Sequence, residues 1–417
     1  MRILIASPYL PWPINTGGNS AVFSTLKCLE NDHQFTLVCP VYDEAGEADA
    51  EALQAQLPLV SVRAVFCGES PRPKLSLRAA RWVVQCGRRL FQPSDPTSAA
   101  EPVQKNKPYY PFGPLPEKLI NALQEELLKG VDLCQAEFAE MLSLGAWYPK
   151  HIPKLFIHHQ VHFVYSQRFF EVNDRDGYLD YLDALWRVHE IAHLQQFDGV
   201  VTFSEQDRRI LLPWLPQEKV FVSPFPLPAD CGVALDSPEQ FDGRFLFLAP
   251  EVNGPNRDAL EWLLAEIWPE ILRRLPSSRL IVIGKWSESS KAKYLAPGVG
   301  FAGFVEDLPS ILRGGIMLAP LRIGSGLRVK IIAAMAQGVP VVSTSVGSEG
   351  LLVEDGKDQL VRDDKSAFAA AAVQLALEPE LWRRLAAAGK ASVSKHYSPE
   401  GVRQRRNEIY AALMETK

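Results

Sequence analysis

No stretch of the 417-residue chain approaches the roughly 18 consecutive apolar residues that a membrane-spanning helix requires. The opening segment, MRILIASPYLPWP, carries one positive charge and an apolar run cut short by prolines, so it does not read as a secretory leader. Cysteine is sparse. Cys28, Cys39, Cys67, Cys86, Cys134 and Cys231 include no CxxC pair and no other metal-ligand spacing, and they read as reduced thiols of a cytosolic protein. Neither sign of charge dominates: 44 Lys and Arg stand against 49 Asp and Glu, a net charge of −5 with a pI near 6.0, which gives no footprint for nucleic acid. What is plentiful is apolar surface. With 47% hydrophobic and 10% aromatic residues the chain has ample material for folded cores, and its length suggests two domains.

The order of segments supports two similar halves. Met1 to Ser7 is a short apolar run that ends in a Pro/Gly loop; Ser20 to Leu29 has helical spacing, and FTLVCPV follows as a strand. Further strands are expected at 61–66, 131–137, 154–160 and 199–205. The segment SPFPLPADCGVALDSPEQFD (223–242) is crowded with Pro, Asp and Ser and reads as a linker. The rhythm then restarts, with strands at 244–250, 279–286, 299–305, 314–321 and 339–345 and a helix at 257–275. An α/β class with two Rossmann-like, doubly wound domains facing a cleft is expected: 1–225, a linker at 226–242, 243–395, and a last helix within 396–417.

Open α/β sheets bind ligands beyond the carboxyl ends of their strands. In the second half, Gly324, Ser325 and Gly326 follow a strand ending near Leu321 and precede a helix expected from Leu327. Backbone N–H groups at such a helix start, with Arg328 and Lys330 within one turn, suit a diphosphate. In the first half, Gly17 and Gly18 lie in the loop after the first strand, where backbone without side chains can approach a ligand. FIHHQVHF places His158, His159 and His162 at a strand end. Neighbours on a strand point to opposite faces, so His159 as a single hydrogen-bonding group in the cleft is preferred to a metal site.

These segments together resemble retaining glycosyltransferases of the GT-B fold, specifically the GT4 family. The strongest part is PLRIGSGLRVKIIAAMAQGVPVVSTSVGSEGL (320–351), supported by LAPEVNGPNRDALEWLLAEIWPEI (248–271) and FDGVVTFSEQDRRIL (197–211). The resemblance implies that Gly324, Ser325, Gly326, Arg328 and Lys330 hold the donor diphosphate, that Gly17 and Gly18 approach it from the other domain, and that His159 meets the donor sugar. It also implies a last helix returning to the first domain, a glycan, glycolipid or other glycoconjugate acceptor, and no metal or other cofactor. The family usually carries two glutamates eight positions apart, which here are Ser325 and Ala333. Glu349 is the nearest acid that could serve the ribose in place of Ala333.

From 70 to 94, six basic residues occur without an acid, and Arg78, Arg81, Arg88 and Arg89 fall within roughly a 100° arc of a helix. That pattern suits an anionic membrane surface, an acceptor surface or a solvated helix face. Two rival readings accompany the transferase: an impaired or inactive homologue that binds a nucleotide sugar or a partner, and a nucleotide-sugar epimerase of the same fold.

Overall fold

The computed structural model describes residues 1–14, 16–68, 111–172, 177–227, 240–305 and 307–415. Its central strands are short, mainly apolar runs buried on both faces, as parallel strands covered by helices must be. The first sheet contains β1 (Arg2–Ala6), β2 (Gln34–Val41), β3 (Val60–Phe66), β4 (Leu133–Glu137), β5 (Lys154–His158), β6 (Gly199–Thr202) and β7 (Val220–Val222). All pairings are parallel, in the order β3-β2-β1-β4-β5-β6-β7.

The second sheet repeats the scheme with β8 (Arg244–Leu248), β9 (Arg279–Ile283), β10 (Val299–Gly303), β11 (Ile316–Ala319), β12 (Val341–Ser343) and β13 (Leu360–Val361), again parallel and ordered β10-β9-β8-β11-β12-β13. In each sheet the strand order reverses between the first and fourth strands, β1 and β4 or β8 and β11. The loops beyond those strands therefore open a crevice.

Several elements differ from the sequence expectation, each for a local reason. β7 and β13 have three and two residues, too short for a period to show. The helix expected at 257–275 begins at Gly254 and is broken by a π turn at Leu263–Ile267. Pro269 follows, and a proline cannot supply the N–H that a regular helix would use there. The first helix is Gly17–Leu29, not Ser20–Leu29: Thr16 caps it by accepting a bond from the Asn19 N–H at 3.1 Å, so Gly17 and Gly18 form its first turn.

One apolar cluster crosses between the halves, running from Ile5, Val22 and Leu37 through Phe225 to Leu327, Ile331 and Met335. The chain then crosses back. Helix Pro379–His396 packs against helix Val329–Ala336, and helix Pro399–Glu415 lies on the first domain. There Arg403 pairs with Asp32, Asn407 bonds Asp32 at 2.8 Å, and the Tyr410 hydroxyl donates to Gln135 Oε1 at 2.8 Å. The C-terminal helix thus returns to the first domain. The expected linker 226–242 falls largely outside the described residues, and Arg78, Arg81, Arg88 and Arg89 lie wholly outside them.

Candidate active site

The glycine loop follows β11 and leads into helix Val329–Ala336, two residues later than the sequence suggests. Its shape is held from within. The Arg328 guanidinium donates to the carbonyls of Ser325 and Gly326, and at 3.3 Å to that of Val346. Burial pushes its pKa down to about 10, so it remains charged at neutral pH. Gly324 lies against the same guanidinium, where a Cβ would come within 2.5 Å of it.

Lys330 stands one helical turn before Ala333, on the same face. Its Nζ donates to Asn256 Oδ1 at 2.7 Å and lies 5.8 Å from the centre of the Phe247 ring. Asn256, itself buried, fixes its amide by donating to the Pro250 carbonyl at 2.8 Å. Burial, and then the nearby charge of Arg328, push the Lys330 pKa down to about 7. Asn256 was not singled out by sequence. It follows β8 while Lys330 follows β11, and only the reversal of strand order makes them neighbours.

The first domain supplies the opposite wall. A Cβ on Gly17 would come within 3.0 Å of Val329, so the N-terminus of helix Gly17–Leu29 meets that of helix Val329–Ala336. Two positive helix ends converge where the loop lies. Gly18 faces the ring of Phe138, whose backbone has φ 66 and ψ 158, a conformation costly for a residue with a side chain. Phe138 follows β4, beside β1 at the reversal of the first sheet, and stacks on His159 with ring centres 3.7 Å apart.

His159 follows β5, and its Nε2 shares a hydrogen at 2.6 Å with Glu137. Glu137 also accepts from Gln135 Nε2 at 2.6 Å, and Gln135 accepts from Tyr410 on the returning helix. A buried chain of hydrogen bonds therefore runs from the C-terminal helix to His159. Burial lowers the histidine's pKa against the raising effect of Glu137, so the ring is neutral at pH 7. Removing the Tyr410 hydroxyl would leave Gln135 Oε1 without this donor in the core. Tyr410→Phe is expected to cost about 1 to 3 kcal/mol, measured as a lower urea midpoint.

His158 and His162 do not converge with His159. His158 bonds Glu190 at 2.8 Å, and the same carboxylate, wholly buried, accepts the N–H groups of His162 and Phe163 at 2.9 Å each. Glu190 thereby caps helix His162–Val172. Among the described residues no three His, Cys, Asp or Glu side chains are grouped as metal ligands.

The two positions where the resemblance leads one to expect glutamate are occupied differently. Ser325 Oγ accepts the Val161 N–H across the domain boundary at 3.0 Å. Ala333 is a buried methyl. Glu349 reaches the loop region, with its carboxylate engaged by Arg168 and, at 2.7 Å, by Gln206 Nε2, both from the first domain. No helix among the described residues is long and apolar enough to cross a membrane.

Comparison with known proteins agrees with this geometry. Residues 243–378 match the family described as Glycosyl transferases group 1. Over its length the chain is 23% identical to an uncharacterised 44.6 kDa protein of the cps region of Klebsiella pneumoniae, covering 88% of this chain and 89% of that one. A shorter stretch is 28% identical to the lipopolysaccharide core biosynthesis glycosyltransferase LpsE of Rhizobium meliloti (strain 1021), covering 36% and 45% of the two chains. The fold superposes on a variant of S. aureus TarM solved with UDP, fondaparinux and α-GlcNAc-glycerol, with a TM-score of 0.67 at 14% identity, covering 98% of this chain and all of that one. Two parallel sheets in that arrangement, a returning C-terminal helix and the superposition give the chain the GT-B fold, with a second domain that matches the family Glycosyl transferases group 1.

Proposed function

We propose that the protein transfers a sugar, with retention of configuration, from a nucleotide-diphosphate sugar to a glycan, glycolipid or other glycoconjugate acceptor in polysaccharide biosynthesis. The observation that carries this reading is the meeting of two helix N-termini beside Lys330 at the reversal points of two facing sheets. The breaking bond leaves negative charge on the diphosphate. Fixed N–H dipoles and the Lys330 ammonium stabilise that charge in place, which is what lowers the barrier when no strong nucleophile is available, and no metal is required for it. In this reading His159, held by Glu137, orients the donor sugar, and Gly17 and Gly18 let the first helix start close against Val329 and Phe138, with its N–H groups turned to the phosphates. A hollow of about 460 Å³ lined by Glu251, Val252, Arg257, Lys285, Trp286 and Ser287, at the ends of β8 and β9, offers space for the base and ribose. A cytoplasmic location, on the inner face of the membrane if the basic segment 70–94 binds lipid, fits such an acceptor.

Ser325 and Ala333 favour a second reading, a homologue that binds the donor weakly or does not turn it over. Two lost charged hydrogen bonds to a ribose would cost about 1.5 to 3 kcal/mol each, roughly tenfold to more than a hundredfold in affinity. A thermal-shift titration with UDP, GDP, ADP and dTDP, on this chain and on Ala333→Glu, separates the two. Stabilisation of the parent by one nucleotide supports the transferase and identifies its base. Stabilisation only after Ala333→Glu marks a disabled donor site.

A further inference from the structure

Arg168 projects from helix His162–Val172 of the first domain into the second. Its Nη2 donates to Glu349 Oε1 at 2.8 Å, and its Nη1 donates both to Glu349 Oε2 and to the carbonyl of Gly324. The pair is half-buried to buried, with the Arg168 side chain 24% and the Glu349 side chain 5% exposed. A planar guanidinium that grips a carboxylate with both ends and a loop carbonyl with one fixes three acceptor oxygens at once. Around it, Gln206 also donates to Glu349, Ser325 bonds Val161, and Gly326 touches the His159 carbonyl. The helix that carries Arg168 is itself anchored, since Glu190 caps its first turn.

Among the described residues the glycine loop is hydrogen-bonded to the first domain by Val161 and Arg168, and Arg168 is the charged member. We propose that Arg168 and Glu349 form an interdomain clasp that closes the cleft and, through the Gly324 carbonyl, sets the shape of the diphosphate loop. Arg168 is a positioning residue in this role: it acts on the donor through the loop. The proposal rests on the donor-site reading above. It also reassigns Glu349, whose carboxylate is occupied by the clasp and is not offered to a ribose. The first domain thus fixes the loop that holds the donor.

The test is a double-mutant cycle on the full chain with Arg168→Met, Glu349→Gln and both together, neither change removing much volume. The readouts are the radius of gyration from X-ray scattering and the affinity for whichever of UDP, GDP, ADP and dTDP stabilises the parent. Each single variant is expected to enlarge the radius and weaken nucleotide binding roughly tenfold, with the double no worse than the weaker single, because both remove one interaction. Multiplying effects, or an unchanged radius in all three, would overturn the clasp. If none of the four nucleotides binds the parent, the donor reading fails, and the scattering data alone judge the clasp.

Discussion

Replacing Lys330 by methionine is expected to lower kcat/KM for sugar transfer by about a thousandfold or more, equivalent to about 4 kcal/mol of transition-state stabilisation. The amine is the positive side chain at the junction of the two helix ends that is not tied to loop carbonyls: Arg328 is spent on those of Ser325, Gly326 and Val346, whereas Lys330 holds one side-chain oxygen, that of Asn256. The fold should survive, and the sign of the stability change follows from linkage. The Lys330 pKa falls from an ordinary 10.5 to about 7 in the native state, so between those values the unfolded chain binds a proton that the folded chain does not. Stability then rises with pH across that window, and the penalty of burying the ammonium is complete below it. Lys330→Met should therefore melt at a higher temperature than the parent at pH 7, with the difference closing towards pH 10.5.

The same depressed pKa makes nucleotide binding pH-dependent. A diphosphate beside Nζ favours the ammonium and raises its pKa again. Above pH 7 binding must take up a proton, so affinity should fall as pH rises from 7 to 9. Calorimetry in buffers of differing ionisation heat would show that uptake; a flat affinity with no proton uptake places the diphosphate elsewhere.

A second large effect is expected from one methyl group at Gly326. This residue has φ +75, and a Cβ there would lie 2.3 Å from the His159 carbonyl oxygen and 3.3 Å from Gln160 Cα. A backbone carbonyl cannot turn aside as a side-chain tip can. Gly326→Ala must either push the loop off the first domain or distort β5 and its exit. Gly356 provides the comparison, because it has φ +73 and nothing within 4 Å of the added Cβ. Gly356→Ala pays only the left-handed backbone, about 1 to 2 kcal/mol. Gly326→Ala should lower the melting temperature further than Gly356→Ala and weaken nucleotide binding at least tenfold, while Gly356→Ala leaves binding unchanged. Equal behaviour of the two variants would mean that the loop does not bear on the first domain.

Much of this molecule was legible in its sequence because the signals are local. Apolar runs bounded by Gly and Pro placed eleven of the thirteen strands among the described residues, since a parallel strand buried on both faces must be apolar along its length. The two missed, β7 and β13, are too short to carry a pattern. The glycine loop with Arg328 and Lys330 was visible for the same reason: strand, turn, helix start and cations lie within fifteen residues of chain.

What sequence could not decide is which of those groups face the ligand and which are occupied by other protein groups. Arg328 and Lys330 read alike as cations, yet one is turned onto its own loop while the other is desolvated beside Asn256, 74 positions away. Glu349 read as a free acid near the loop, and the fold gives it to Arg168, 181 positions distant. His159 read as the preferred one of three nearby histidines, but its partners Glu137, Gln135 and Tyr410, from β4 and the returning helix, could not be read there. Most elements and their order could be read from the chain, because periodicity and turn chemistry act over a few residues. The partners of each charge could not, because burial and pairing are set by strands and helices that meet across long separations in the chain.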